Sequence, residues 1–148
     1  MPIYSKINDL IMNLIQIYEY VGGLAKGMTN ANQYTEGDIY ENWNATEIKY
    51  SVINCAVESV EDYTEYKIYN TVLYYADRLV ENRSNRWQIQ TEGVRLLGNI
   101  VRKIQGIDGM DTDGIVEYRV FEQKFADWLA GAWCRVRIIV SADMCADE

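Results

Sequence analysis

The sequence predicts an α+β domain: a mostly antiparallel sheet with two amphipathic helices on one face. Three observations carry that expectation. Apolar residues recur at three- and four-residue steps in two separate stretches, and Val-, Ile-, Tyr- and Thr-rich runs come in pairs around short polar turns. With 148 residues, 49% of them hydrophobic, the chain also has material for a single core.

Residues 5 to 21 place Ile7, Leu10, Ile11, Leu14, Tyr18 and Val21 on one helical stripe. Ser5 stands as an N-cap and Gly22-Gly23 as a stop. The stretch 26–33, KGMTNANQ, reads as a loop, followed by a short strand around Ile39, Tyr40 and Trp43 and a further turn at Asn42 and Asn44. Residues 49 to 60 and 66 to 76 are β-rich and joined by the polar EDYTE, which predicts an antiparallel hairpin. Tyr66, Ile68, Val72 and Tyr74 share one face of its second arm, and Tyr69, Leu73 and Tyr75 the other. Neither face is plainly polar, so this strand is expected at the centre of the sheet.

A second helix is expected from the capping-box spacing of Asn85 and Gln88 to Gly106, with Trp87, Val94, Leu97, Val101 and Ile104 facing the sheet. GIDGMDTDG, residues 106–114, reads as a loop. Residues 115–125 and 132–140 then alternate as two strands joined through DWLAG. In the last strand Ala132, Cys134, Val136, Ile138 and Val140 define a core face, and Trp133, Arg135, Arg137 and Ile139 define the opposite one. One domain is expected over 1–140, followed by an acidic tail, SADMCADE, over 141–148.

Charge and residue usage narrow the function. A net charge of -8 opposes adherence to phosphate backbones or anionic lipid, so neither nucleic-acid recognition nor a membrane surface is expected. The N-terminal stretch carries Asn8, Asp9, Asn13, Gln16 and Glu19 through its apolar positions and resembles neither a signal peptide nor a membrane span. Cys55, Cys134 and Cys145 lack CxxC spacing and read as reduced thiols. Histidine is absent from the sequence, which removes the usual near-neutral acid/base, the commonest zinc ligand and a triad member. No catalytic residue, metal site or cofactor is therefore expected.

Two acidic groups have a bland reading. Asp108, Asp111 and Asp113 lack EF-hand spacing and suit Asp-Gly turns, while Glu58, Glu61, Asp62 and Glu65 suit a solvated hairpin tip. Two arginine groups are candidate sites. Trp133, Arg135 and Arg137 combine residue types enriched in protein contacts and form the candidate subunit contact, a solvated sheet face with one large aromatic being the other reading. Arg78, Arg83 and Arg86, near the start of the second helix, form the alternative: an anion site for a small molecule or nucleotide phosphate.

The succession YENWNATEIKYSVINCAVESV, YNTVLYYADRLVENRSNRWQIQTEGVRLLGNIV and QKFADWLAGAWCRVRIIV resembles a family of small neck or tail proteins of crAss-like and related tailed phages, over roughly residues 40 to 140. The order helix, strand, hairpin, helix, hairpin is also similar to tail-terminator and tail-completion proteins. The resemblance implies a non-enzymatic virion protein, assembled in the host cytoplasm into a homomeric ring of about six or twelve copies. Its implied partners are copies of itself and other neck, tail or portal proteins, with DNA passing through the channel. The long first helix and the acidic tail depart from the pattern. The family brings no catalytic residues to map onto this chain.

Overall fold

The computed structural model describes residues 13–28, 31–44, 48–107 and 109–141. The first described element, helix α1 (Leu14–Lys26), begins at Asn13, whose side chain accepts from Gln16 N at 2.9 Å while Gln16 Oε1 accepts from Asn13 N at 2.8 Å. The cap expected at Ser5 lies outside the described residues. The helix does not stop at Gly22-Gly23 but runs on to Lys26, with Gly27 as C-cap. Gly22 serves packing instead: a Cβ there would stand 2.8 Å from the Tyr34 ring, so the missing side chain makes room for the next element.

That element is strand β1 (Gln33–Glu36), followed by the one-turn helix α2 (Ile39–Trp43). The short strand expected around residues 39 to 43 is thus a helix, and the strand lies earlier. Asp38 caps α2 by accepting from Tyr40 N at 2.8 Å, and the four-residue spacing of Ile39 and Trp43 turns both inward.

The long hairpin forms as expected, from β2 (Val52–Asp62) and β3 (Tyr66–Arg78). Helix α3 (Arg86–Gln105), β4 (Met110–Asp111), β5 (Tyr118–Lys124) and β6 (Trp128–Ser141) complete the described residues. The sheet order is β1-β2-β3-β6, with β5 and β4 pairing successive parts of the outer edge of β6. Among the described residues only β1 against β2 is parallel. β3 is central, as its two apolar faces predict.

Helices α1 and α3 cover one face, where Ile17, Val21, Leu97, Ile100 and Ile104 meet Ile53, Cys55, Leu73, Cys134, Val136 and Ile138. The expected core face of β6, Ala132, Cys134, Val136, Ile138 and Val140, is buried throughout. On the opposite face α2 covers one end only, with Trp43 over Val52, Ala76, Phe125 and Leu129. Asn54, fully buried there, is satisfied: its carboxamide oxygen accepts from Thr35 Oγ1 at 2.6 Å and Asn42 Nδ2 at 3.0 Å, and its nitrogen donates to Gly37 O at 2.8 Å.

Several boundaries differ from expectation. DWLAG is not the second turn: β6 already begins at Trp128, and the turn is closed by Phe125 N donating to Asp127 O at 2.8 Å. The 106–114 loop contains β4, paired with Ile139 and Val140. Asn85 makes no capping bond to α3, because its side chain is used across the preceding turn, accepting from Val80 N at 3.1 Å and donating to Arg78 O at 3.2 Å. Trp87 is 74% exposed rather than packed on the sheet, since the buried stripe is set by Ile89, Leu96, Leu97, Ile100 and Ile104. Trp87 lies about 200° round the helix from Ile89. Ser141 still belongs to β6; 142–148 lie outside the described residues.

Candidate functional site

Beyond the reach of α2, the sheet face opposite the two long helices is uncovered among the described residues. Strand alternation on β6 puts Trp133, Arg135 and Arg137 there together, and β5 adds Arg119, in register with Trp133. Trp133 stacks on Tyr74 of β3 at a centroid distance of 5.9 Å. Arg135 lies over the same indole at 5.1 Å and Arg119 at 6.0 Å.

The acidic partners come from the long hairpin and from the loop before β5. Between Val57 and Ser59 the register of β2 against β3 shifts, leaving Glu58 as the extra residue of a bulge. The bulge also exchanges the faces of the residues beyond it and brings Glu61 onto the open face. Arg135 Nε stands 3.4 Å from Glu58, and Arg137 stands 3.7 Å from Glu61 and 3.5 Å from Asp113. Asn70 and Tyr63 both donate to Glu61, and these bonds, with Arg137 nearby, hold its carboxyl below the usual range.

The candidate anion site is arranged differently. Arg78 stands 3.6 Å from Asp127 and lies over the Tyr50 ring at 5.0 Å, whereas Arg83 and Arg86 share Glu122, at 2.8 and 3.7 Å. Two of the three guanidiniums thus already have a carboxylate between them. Arg83 has a left-handed backbone, φ 58°, unusual for a residue other than glycine, and its guanidinium is stacked over Trp128 at 4.2 Å.

No protein-family model matches the chain, and no curated protein matches it at a significant level.

An open groove of about 490 Å³ runs between the start of β2, the end of β3 and α3, lined by residues that include Tyr50, Tyr75, Asp77, Asn85 and Gln88. Burial raises the Asp77 carboxyl and the Tyr75 phenol from their ordinary values, in each case by making the charged form costly.

The two described cysteines, Cys55 and Cys134, are free and buried, and burial pushes each thiol up to about 12, which keeps them as inert neutral core groups. Among the described residues no group of three His, Cys, Asp or Glu could hold a metal ion, and no helix is long and apolar enough to cross a membrane. Asp111, expected in a turn, is instead the second residue of β4, and its side chain accepts from Thr112 N at 2.8 Å.

Sequence reasoning missed two surface features. One is the corner where Trp87 and Trp128 lie exposed beside Arg83; the other is the hairpin tip, where Tyr63 and Tyr66 stack with centroids 4.7 Å apart. The tip residues, three apart across a polar turn, carried that signal.

Proposed function

We propose that the chain is a structural subunit of a tailed-phage virion, which associates with copies of itself into a closed ring at the neck or tail and so surrounds the path of the genome. The observation that supports this most is the uncovered sheet face. Trp133, Arg119, Arg135 and Arg137 stand among Glu58, Glu61, Asp113 and Glu117, a mix of desolvatable aromatic area and paired charge that suits protein contact. The in-chain ion pairs are long and exposed, so they hold the arginines weakly and leave them able to take a neighbour's carboxylates.

The acidity fits the role. A channel wall with excess negative charge repels phosphate and lets DNA slide, whereas a basic wall would retain it. The alternative, an anion site at Arg78, Arg83 and Arg86, has less geometric support, because Glu122 already lies between two of its members. Size-exclusion chromatography with light scattering tests the ring. A particle of one fixed multiple of the chain mass, annular in negative stain, is expected; a monomer at high concentration overturns the reading.

A further inference from the structure

The two ends of β3 carry different surfaces. At the hairpin tip the stacked Tyr63 and Tyr66 are both exposed, at 46% and 38%, and the exposed carboxylates of Asp62 and Glu65 stand beside them in sequence. Past the other end, Trp87 and Trp128 are exposed, and Arg83 and Arg86 share the single carboxylate of Glu122, so these three groups carry one positive charge in excess. Arg83 is held over Trp128 by a backbone that only a well-determined turn keeps in the left-handed region. The tip is aromatic and acidic; the corner is aromatic and presents two guanidiniums, beside Glu122 and the turn residue Glu81.

β3 has 13 residues, which puts its ends roughly 40 Å apart. It is paired along its length with β2 and β6, so tip and corner of one chain are held apart and cannot meet. We infer that the tip of one copy docks on the corner of the next. The tyrosines then cover the exposed indoles, and Asp62 and Glu65 reach Arg83 and Arg86. Such a contact joins two different surfaces, so it repeats head to tail and yields a ring when the rotation closes. This inference rests on the ring reading and gives the ring its direction; the aromatic anchors supply desolvated area and the charges fix which end meets which.

Three variants of the full chain test it, each checked for native circular dichroism. Asp62→Lys with Glu65→Lys reverses the tip. Trp87→Glu removes an anchor and places a carboxylate on the corner, at an exposed position in the first turn of a helix where a negative charge is tolerated. Each is expected to weaken assembly by about 30-fold or more in light scattering. The triple variant is expected to recover about 10-fold or more of that loss, because the reversed tip finds the new carboxylate. Either surface variant assembling like the wild type, or a triple variant no better than the weaker of the two, overturns the contact while wild-type rings keep the ring reading intact. A monomeric wild type overturns the ring reading, and this contact with it.

Discussion

Gly131 of β6 lies so close to Tyr75 of β3 that a Cβ on it would fall inside the Tyr75 carbonyl oxygen, while the Phe121 ring covers the same position from β5, 2.9 Å from where that atom would be. Neither neighbour can retreat: the carbonyl belongs to the central strand, and Phe121 packs with Trp43 and Tyr74. Gly131→Ala is therefore expected to destabilise the fold by about 3 kcal/mol. The check is urea denaturation, with a lower midpoint at an unchanged slope.

Leu97 and Trp87 lie on the same helix and are expected to respond in opposite ways. Leu97 is fully buried between α3 and the sheet, so Leu97→Ala should cost about 2 to 5 kcal/mol. Trp87 is 74% exposed, so Trp87→Ala should change stability by no more than about 0.5 kcal/mol. Equal losses for the two variants would place Trp87 back in the core.

This contrast shows where the sequence was legible. Strict alternation from Ala132 to Val140 fixes both faces of β6, and the paired β-rich runs fix the long hairpin, because each signal is local and repeated. Trp87 aligns with Val94 and Val101 at seven-residue steps, but of the three only Val101 is buried: the stripe that meets the sheet is centred on Leu96, Ile100 and Ile104, and Trp87 in the first turn falls outside it. Residues 33 to 43 were misread because β1 has only four residues and is ordered by its pairing with β2. The open face followed the same rule: periodicity gathers Trp133, Arg135 and Arg137, but the placing of Glu58 and Glu61 beside them depends on a bulge in β2, two strands away, which no local pattern announces.

Alkali should destabilise the protein through its buried thiols. Cys55 and Cys134 are raised by burial to about 12 from an ordinary 9.0, and the Tyr34 phenol is raised as well. An acid whose pKa is higher when folded contributes its full stability below the unfolded value and loses it as pH rises through the folded one. Stability should thus fall between about pH 9 and about pH 12, by up to about 1.4 kcal/mol per pH unit for each thiol. Denaturant midpoints across that range check it, and Cys134→Ala should flatten the slope. Both thiols should also resist a bulky maleimide in the native protein; rapid labelling would contradict their burial.

Arg135→Glu together with Arg137→Glu tests the open face. Their side chains are 65% and 43% exposed and their ion pairs, at 3.4 to 3.7 Å, contribute little to the monomer, so the doubly reversed chain should keep its circular dichroism. On the face itself the change sets new carboxylates beside Glu58, Glu61 and Asp113 and removes one of the two guanidiniums over Trp133, leaving Arg119. A neighbouring copy would then meet repulsion where it had found guanidinium donors, and association should weaken most at low salt, where that repulsion is least screened. Light scattering at low and high ionic strength, on samples whose fold is verified in parallel, reads the outcome. Particles unchanged in mass at both salt concentrations would remove this face from the subunit contact and leave the ends of β3 as the surfaces to examine.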